Sequence, residues 1–351
     1  MKDHIIEGIL VPLGTLLSSS ALTYLVLRRA RSEGILDIPN ERSSHEVPTP
    51  RGGGLAIVLA AAGAFAVLAF LGVLHQRLAM ALLGGTAVAA IGFMDDRRSL
   101  PAPLRLFIHV GAALWAMIWL GGLPPVRLGG ELIQFGAAGY AAGAIGIAWS
   151  VNLFNFMDGI DGIATAEAVF VALAGGAVTL IVGGAAEVCY AAFAFGASCC
   201  GFLPWNWARA KIFMGDVGSG YLGYVIAVLG IAAAREWEVG LIVWAMLTLI
   251  FLADTAVTLV RRAFRGERVY TAHRQHAYQW TARRWRSHGI TTGVVTVVNV
   301  AWLLPCALLA AAHAREAVWF ALLAGGPILV LTIAIGAGRP EQLAPPIHAG
   351  R

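Results

Sequence analysis

The stretch Lys211-Ile-Phe-Met-Gly-Asp-Val-Gly-Ser-Gly220 leads directly into an apolar run that ends near residue 234. It places a carboxylate, Asp216, between glycines at the point where a polar loop meets a helix long enough to cross a membrane. A charge at such an edge is costly unless something binds it. The stretch therefore predicts a membrane helix that begins at a binding site, and Asp216 is the candidate metal ligand.

The composition of the whole chain is that of a membrane protein. Hydrophobic residues make up 58% of the sequence and charged residues 13%, and the mean hydropathy is +0.74. Because a span needs about 20 apolar residues, the sequence predicts an all-α, polytopic integral membrane protein with about eleven transmembrane helices. The predicted spans are about 5–27, 52–74, 78–94, 104–120, 137–154, 163–182, 186–203, 217–234, 239–260, 291–312 and 316–336. Lys2 is the only basic residue before the first span, so we expect a retained helix rather than a cleaved signal peptide.

Basic residues fall mostly on one side of these spans. With the N-terminus outside, 20 of the 25 lysines and arginines lie in inner segments. The positive-inside rule therefore predicts an outer N-terminus and a cytoplasmic C-terminus. We expect a single transmembrane catalytic domain over residues 1–351, because the polar segments are only long enough to be loops. The predicted cytoplasmic loops are about 28–51, 95–103, 155–162, 204–216 and 261–290.

The cysteines and the net charge narrow the class further. All four cysteines lie inside predicted spans, which indicates core positions and no disulfide framework. The net charge of +5 is concentrated on the inner face. It suits anionic lipid head groups and phosphate substrates, and it requires no nucleic-acid partner.

The first inner loop, residues 37–54, combines three prolines with the glycine run Gly52–Gly54. Glycines let a backbone approach a ligand closely, and exposed N–H groups near the start of a helix attract anions. With His45 and Arg51 beside them, the glycines predict an anion-binding loop. A proline-rich connector is the alternative.

Two adjacent acids, Asp95 and Asp96, stand at the inner end of the third span. Such a pair could bind a divalent ion, or one carboxylate could act as a base while Arg97 or Arg98 holds the other. The alternative is a solvated helix end whose acids are simply paired with arginines.

A further polar cluster ends the fifth span. Asn152, Asn155 and Asp158 are spaced by three residues and therefore share one helical stripe. Glycines then break the helix and leave Asp161 beside the same opening. Two acids and two amides have few structural uses beside a bilayer, so this cluster indicates a binding or catalytic site.

Two other polar residues allow two interpretations each. Asn206 could add an amide to the Asp216 site, or it could cap a turn. Asp254 lies within the ninth span, where an acid is a functional candidate by default. It could equally pair with an arginine and hold two helices together.

The basic loop after the ninth span carries His273, Arg274 and His276. Its arginines suit phosphate recognition, since the planar guanidinium group can bind two phosphate oxygens at once. The histidines have no cysteine or acid close by in the sequence, so we expect contact with phosphate or ribose rather than with a metal. Positive-inside charge alone would explain the arginines but not the histidines.

Taken in order, these motifs resemble the polyprenyl-phosphate N-acetylhexosamine-1-phosphate transferase family, which includes the lipid I synthase of peptidoglycan and the enzymes that start O-antigen synthesis. The resemblance covers nearly the whole chain. Its matching pieces are Pro-x-x-Arg-x-x-His-x-x-Pro-x-Pro-x-x-Gly-Gly at 39–54, Asp95-Asp96, Asn152 to Gly162, Asn206, and Phe213-x-Gly-Asp-x-Gly-Ser219.

Within that family, eleven spans and an outer N-terminus are more similar to the N-acetylglucosamine-1-phosphate branch than to the ten-span lipid I synthase. Two sequence departures point the same way. Asp95-Asp96 is followed by Arg-Arg-Ser instead of the lysine of the lipid I synthase, and the family's Asp-Arg-x-His-x-His-His motif is only partly matched around Arg274 and His276. The resemblance therefore implies the branch that starts O-antigen, part of lipopolysaccharide and cell-wall biogenesis, on undecaprenyl phosphate.

The resemblance implies that the protein transfers HexNAc-1-phosphate from a UDP-HexNAc to undecaprenyl phosphate, with release of UMP. It implies bound Mg²⁺, for which Mn²⁺ could substitute, and a one-step attack in which Asp95 or Asp96 deprotonates or orients the lipid phosphate. The implied site residues are, for catalysis, Asp95, Asp96, Asp158 and Asp161; for substrate binding, His45, Arg51, Asn152, Asn155, Asn206, His273, Arg274 and His276; and for the metal, Asp216.

The expected partners are the two substrates and membrane lipids, and no nucleic acid is expected. A homodimer is compatible with the resemblance. The expected location is the bacterial cytoplasmic (inner) membrane, with the site on its cytoplasmic face. The alternative from another class is a secondary transporter, because intramembrane acids also mark ion pathways. A transporter would place its acids near the bilayer midplane, whereas these acids cluster at the inner ends of the predicted spans.

Overall fold

The computed structural model describes residues 6–39, 47–128, 131–268 and 273–340. Over these ranges the chain is mainly helical, and its strands form two short antiparallel pairs. The helices are α1 (Val11–Glu33), α2 (Gly54–Phe70), α3 (Gln76–Leu83), α4 (Gly85–Arg97), α5 (Ala102–Leu120), α6 (Ala138–Met157), α7 (Ile163–Ile181), α8 (Ala186–Asn206), α9 (Asp216–Glu236), α10 (Gly240–Leu247), α11 (Leu249–Phe264), α12 (Ala277–Trp285), α13 (His288–Val298), α14 (Leu304–Ala312) and α15 (Ala317–Ile335).

Short irregular elements complete the described chain. A π-helix, Ile6–Leu10, precedes α1, another, Asn299–Leu303, joins α13 to α14, and a 3₁₀ turn, Ala314–Glu316, precedes α15. Strand β1 (Leu36–Asp37) pairs with β2 (Thr49–Pro50), and β3 (Val126–Leu128) pairs with β4 (Glu131–Ile133).

Eight helical segments of the described chain are long and apolar enough to cross a membrane. A ninth would be the pair α10–α11, which is bent by 72° at its break. The predicted polytopic, all-α membrane protein is therefore confirmed, but the predicted number of eleven spans is not reached by this criterion. Helix α2 has only 17 residues, and α6 is not among the qualifying helices, although both occupy predicted spans. The orientation and the single-domain organisation stay predictions.

Helix α9 lies at the centre of the bundle. Of its most apolar stretch 94% is buried, whereas the corresponding value is 17% for the segment that contains α1. Small residues on α9 let the backbones of neighbouring helices approach it closely. A Cβ atom on Gly223 would lie 2.6 Å from the carbonyl carbon of Ser150 on α6, and Ser150 Oγ donates a hydrogen bond to the Gly223 carbonyl at 2.8 Å. Helices α6 and α9 therefore pack backbone to backbone.

The segment that connects β2 to α2 lies against the residues just before α9. The Phe213 N–H donates to the Pro50 carbonyl at 2.8 Å, and the N–H groups of Gly53 and Gly54 donate to the carbonyls of Phe213 and Met214 at 2.9 Å each. A Cβ on Gly54 would lie 2.6 Å from the backbone nitrogen of Gly218. This contact places the start of α2 beside the start of α9.

Candidate active site

The N-terminus of α9 is held by the acid pair at the end of α4. A Cβ on Gly92, one turn before that pair, would lie 2.5 Å from the carbonyl carbon of Asp216, so the backbones of α4 and α9 touch. The Asp96 carboxylate accepts hydrogen bonds from the N–H groups of Asp216 at 2.8 Å and Val217 at 3.1 Å. A carboxylate is stabilised there because the first N–H groups of a helix have no partner within the helix and carry partial positive charge.

Gly215, which precedes α9, is required by this arrangement. Its φ of +76° is a backbone conformation that glycine adopts without strain. A Cβ at this position would also overlap the Asp96 carboxylate. The glycine of the Gly-Asp motif therefore allows Asp96 to approach the start of α9.

Two arginines bridge the three acids of this cluster. Arg51 lies 2.8 Å from Asp96 Oδ1 and 3.3 Å from Asp216 Oδ1. Arg105, in the first turn of α5, lies 2.6 Å from Asp95 Oδ2 and 3.0 Å from Asp216 Oδ2. The acids of α4 and α9 are thus linked through shared guanidinium groups, which we call the acid–arginine cluster: Asp95, Asp96, Asp216, Arg51 and Arg105.

The arginines of this cluster are not those expected from the sequence. Arg97 lies over the ring of Phe93 at 4.3 Å, and Arg98 is exposed. The structure therefore does not support the alternative in which Arg97 or Arg98 holds one of the acids. Arg105 was not singled out by sequence reasoning. No local pattern marks it, because it meets its acids only through the turn between α4 and α5 and the packing of both helices on α9.

Arg51 reaches the cluster from the loop before α2. Burial lowers its pKa, but the carboxylates of Asp96 and Asp216 outweigh that effect and raise the pKa above the usual value of arginine. Two of the glycine N–H groups expected to bind an anion, those of Gly53 and Gly54, instead donate to the backbone before α9. The glycines serve close packing, and that part of the anion-loop interpretation is wrong. His45 lies outside the described residues.

Asp158 stands out because its carboxylate has no hydrogen bond or ion pair to any residue that the structure describes. It follows the last residue of α6 and is half-buried. Desolvation, and after it the negative charge of Asp216, raise the pKa of Asp158 well above that of an ordinary aspartate. Asn155, one turn earlier on the same stripe, is also half-buried and has no side-chain hydrogen bond within the described chain. These two side chains are available to a ligand.

The acids fit a magnesium ion of the kind that is held by one or two carboxylates. Among the described residues no group of three or more histidine, cysteine, aspartate or glutamate side chains is arranged to hold a metal. Mg²⁺ keeps several waters, however, and needs few protein ligands. Asp158 offers a carboxylate without a partner among the described residues. The Asp216 side chain forms ion pairs with Arg51 and Arg105 and is 17% exposed, against 5% for Asp96. The oxygen donors that Mg²⁺ prefers are therefore present on Asp216 and Asp158.

The other residues of the 152–206 region mainly fix loops. Asp161 accepts from the Ala210 N–H at 3.2 Å, and its Oδ1 lies 3.3 Å from His288 Nδ1. Asn206 is buried; it accepts from Thr165 at 2.8 Å and donates to the Ile212 carbonyl at 3.1 Å. Of the two interpretations of Asn206, the structure supports the cap of a turn. His288 is a neighbour of the site that sequence reasoning missed.

Asn152 and the basic loop lie around this centre. Asn152 donates to the Ala148 carbonyl of its own helix at 2.7 Å. His273 and His276 stack with their ring centroids 4.8 Å apart, and His276 is almost fully buried. Burial, and next the neighbouring His276, lower the pKa of His273 to about 3. The carbonyl of Arg274 accepts from Arg283 at 3.0 Å.

Asp254 contacts groups other than the arginine considered from the sequence. It accepts hydrogen bonds from N–H groups at the N-terminus of α12 at 2.8 Å and 3.0 Å, and its Oδ1 lies 3.2 Å from His276 Nδ1. Of the two interpretations of Asp254, the structure does not support pairing with an arginine. The acid instead joins α11 to the histidine-bearing loop.

The site offers two means of neutralising an anionic substrate. Its arginines suit phosphate oxygens, and its accessible carboxylates suit a divalent cation that would carry a diphosphate. The arginines and the carboxylates lie together at the N-terminus of α9. A site with this composition suits transfer of a phosphoryl-linked group between two anionic substrates.

Comparison with known proteins finds a family model that matches the middle of the chain. Residues 78–234 match the family model described as glycosyl transferase family 4. That segment contains all the aspartates of the candidate site, but neither Arg51 nor His276.

Three relatives resemble the chain over most of its length. A probable undecaprenyl-phosphate N-acetylglucosaminyl 1-phosphate transferase of Bacillus subtilis (strain 168) is 26% identical over 92% of this chain and 89% of the relative. A decaprenyl-phosphate N-acetylglucosaminephosphotransferase of Mycobacterium tuberculosis (strain CDC 1551 / Oshkosh) is 28% identical over 78% and 76% of the two chains. A phospho-N-acetylmuramoyl-pentapeptide-transferase of Limosilactobacillus fermentum is 28% identical over 84% and 99%. The chain is therefore similar to polyprenyl-phosphate N-acetylhexosamine-1-phosphate transferases and to glycosyl transferase family 4, and the resemblance predicted from its motifs is confirmed.

Proposed function

We propose that this protein transfers HexNAc-1-phosphate from a UDP-HexNAc to undecaprenyl phosphate, forming undecaprenyl-PP-HexNAc and UMP. The observation that carries the proposal is the acid–arginine cluster at the start of α9, which interacts electrostatically with Asp158, a carboxylate without a partner among the described residues. The names of the relatives support a polyprenyl-phosphate acceptor and an N-acetylglucosamine-1-phosphate unit. In the reaction, an oxygen of the lipid phosphate attacks the β-phosphorus of the donor, and the bond from that phosphorus to the oxygen bridging to UMP breaks.

The arginines of the cluster would bind the attacking lipid phosphate. Arg51 and Arg105 each contact two carboxylates in the described structure. A phosphate that approaches them can replace the contacts to Asp216 while those to Asp96 and Asp95 remain. The retained contacts would hold the guanidinium groups in place, which favours an attack geometry set in advance.

Asp216 and Asp158 would hold the Mg²⁺ ion. When bound, this ion neutralises the donor diphosphate and makes its phosphorus more open to attack. Release of Asp216 from the two arginines would free both of its oxygens. Asn155 lies one turn from Asp158, and its amide has no partner in the described part of the chain; it would orient the donor beside the metal.

Asp95 and Asp96 would act chiefly by positioning. Both oxygens of each carboxylate accept hydrogen bonds or ion pairs, from Leu100 N–H and Arg105 for Asp95 and from Arg51 and the start of α9 for Asp96. A phosphate monoester loses its second proton near pH 6, so the lipid phosphate is mostly a dianion at neutral pH. It needs orientation more than a base, and a one-step transfer follows. A phospho-enzyme trapped on Asp95, Asp96 or Asp158 would contradict this mechanism.

The first experiment is a turnover assay of the full-length protein in detergent or nanodiscs. We expect UMP release from UDP-GlcNAc only when undecaprenyl phosphate and Mg²⁺ are both present. Treatment with EDTA should abolish UMP release, and added Mg²⁺ or Mn²⁺ should restore it. Absence of UMP release from folded protein with any donor in a UDP-GlcNAc, UDP-GalNAc, UDP-QuiNAc and UDP-FucNAc panel would refute the proposed function.

The same donor panel would show which sugar the lipid product carries. We propose that the product starts O-antigen or another cell-envelope polysaccharide, and that the site faces the cytoplasm, where nucleotide sugars are made. Labelling of single cysteines placed in the loop near Lys211 and in the loop near Arg127 would test this orientation. The comparisons do not favour a secondary transporter, which would move a substrate across vesicles without releasing UMP.

A further inference from the structure

Asp254 is a buried acid that the proposed reaction does not use. It lies on α11, the second arm of the bent pair, and its residue is 2% exposed. Its carboxylate accepts from Thr258 Oγ1, one turn along the same helix, at 3.2 Å. The remaining contacts of Asp254 cross to another element.

Those contacts are with the first residues of α12. Asp254 Oδ1 accepts from the Ala277 N–H at 2.8 Å, and Oδ2 accepts from the Tyr278 N–H at 3.0 Å. Asp254 therefore supplies, from a membrane helix, the anion that the N-terminus of α12 requires. The Gln279 side chain accepts from the His276 N–H at 3.2 Å and completes the same helix start.

The same carboxylate fixes the ring of His276. Its Oδ1 lies 3.2 Å from His276 Nδ1. An ionised carboxylate only accepts hydrogen bonds, so this contact requires a proton on Nδ1, and in a neutral ring Nε2 then keeps its lone pair. Nε2 is buried and has no hydrogen-bond partner in the part of the chain that the structure describes. A buried acceptor without a donor is costly, and each such group requires an explanation.

The ring of His276 also stacks on two neighbouring rings, next to the Asp158 loop. It stacks on His273, with centroids 4.8 Å apart, and on Tyr278, with centroids 5.6 Å apart. The Tyr278 hydroxyl donates to the Phe156 carbonyl at 3.1 Å, and a Cβ on Gly159 would overlap that hydroxyl. His276 is therefore fixed in a layer that packs directly on residues 156–159, which flank Asp158.

We infer that Asp254 is a positioning residue: it holds His276 in the Nδ1–H tautomer, so that Nε2 accepts a hydrogen bond from an O–H or N–H group of the UDP-sugar. The identity of this ligand rests on the proposed function, whereas the tautomer rests on the contacts of Asp254 alone. Asp254 does not touch the substrate. It acts through His276, and it links the bent pair α10–α11 to the donor side of the site.

Nitrogen NMR of the full-length protein tests the tautomer without an activity assay. The protein, labelled with ¹⁵N-histidine in nanodiscs, should give for His276 a protonated Nδ1 and an unprotonated Nε2, with the signals assigned by their loss in His276→Gln. Asp254→Asn should shift the proton toward Nε2. A wild-type ring protonated at Nε2, alone or together with Nδ1, would overturn the inference.

A double-mutant cycle tests whether Asp254 acts through His276. Asp254→Asn should raise the KM for UDP-GlcNAc about tenfold, the lower end of the effect of removing the hydrogen-bond partner of a metal-binding histidine. It should leave the KM for undecaprenyl phosphate within about twofold. In a His276→Ala background, Asp254→Asn should cost no more than about a further twofold. Independent, multiplying losses would reduce Asp254 to a helix cap and overturn its role as a positioning residue.

A control variant and a binding measurement separate the role of Asp254 from the proposed function. Thr255→Val is the matched control, because Thr255 is the neighbouring buried residue and its hydroxyl has no partner in the described chain; it should leave turnover unchanged. Binding of UDP alone, compared with UDP-GlcNAc, to His276→Ala will assign the donor group to the nucleotide or to the sugar. If the wild type releases no UMP, the proposed function fails, while the NMR measurement still decides the tautomer.

Discussion

The protein stabilises buried carboxylates in two different ways. At the start of α9, the carboxylates of Asp96 and Asp216 face arginines and helix N–H groups. Inside the bundle, Glu167 on α7 is 1% exposed, and its Oε2 accepts from Asn299 Nδ2 at 2.6 Å. Its Oε1 and the Oδ1 of Asn299 have no partner among the described residues. One region therefore supports negative charge, and the other offers a carboxyl group only a neutral amide.

This difference shows that the position of an acid along a helix determines whether its carboxyl group is charged or neutral. An ionised carboxylate far from cations is very costly in an apolar interior. A proton on Glu167 Oε1 would supply the donor that Asn299 Oδ1 lacks, so a neutral acid and an amide satisfy one another. Asn299 is also the first residue of the π-helix Asn299–Leu303, so this pair would anchor that irregular turn to α7. We therefore expect Glu167 to be neutral and structural, and the acid–arginine cluster to be charged and functional.

The largest expected effect is that of Asp216→Asn. The substitution keeps the size of the side chain but removes the charge that would bind Mg²⁺ and balance two arginines. UMP release should fall by at least about 100-fold, while the thermal unfolding temperature in detergent stays close to that of the wild type. Substantial turnover by Asp216→Asn would remove Asp216 from the metal site.

Arg105→Ala should have the next largest effect. Loss of this guanidinium leaves Asp95 and Asp216 without a shared cation and removes one phosphate contact. We expect the KM for undecaprenyl phosphate to rise by about 10- to 100-fold, as measured by UMP release at saturating UDP-GlcNAc. Arg98→Ala is the matched control, because Arg98 is exposed, near the same acids, and has no contact to the cluster. Equal losses in both variants would indicate only a general charge effect.

Gly92→Ala tests the packing that brings α4 to α9. The new Cβ would lie 2.5 Å from the Asp216 carbonyl carbon, which is backbone and has little freedom to move. Overpacking of this kind costs about 1–3 kcal/mol, so we expect a lower unfolding temperature and reduced UMP release. Gly63→Ala on α2, where a Cβ meets nothing within 4 Å, should change neither quantity. A Gly92→Ala variant with wild-type stability and turnover would contradict the backbone contact.

The smallest effect is expected for Glu167→Gln. If Glu167 is neutral, glutamine replaces it with the same shape, and turnover and unfolding temperature should change little. Glu167→Ala should be less stable by about 1–3 kcal/mol, because it leaves the buried Asn299 amide without a partner. A large loss of turnover in a folded Glu167→Gln variant would show that the interior acid carries a functional charge, and the contrast between the two regions would fail.

The sequence by itself determined the class of protein and the positions of its acids. A helix that crosses a membrane needs a long apolar run, because backbone polar groups in lipid have to bond within the helix. That requirement is local, so the helices appear where the apolar runs are. The apolar runs also allowed the site acids to be identified from the sequence, since charges at the ends of such runs are rare. These acids are Asp95, Asp96, Asp158 and Asp216.

The tertiary structure decided which groups meet. Periodicity shows which residues share a face of one helix, but it does not say which neighbour covers that face. Arg105 reaches Asp216 because Gly92 lets α4 touch α9, and Asp254 reaches His276 because α12 folds back onto α11. Such contacts join residues more than 20 positions apart. They depend on how closely whole helices pack, and so the partners of Asp216 and Asp254 follow from the folded bundle.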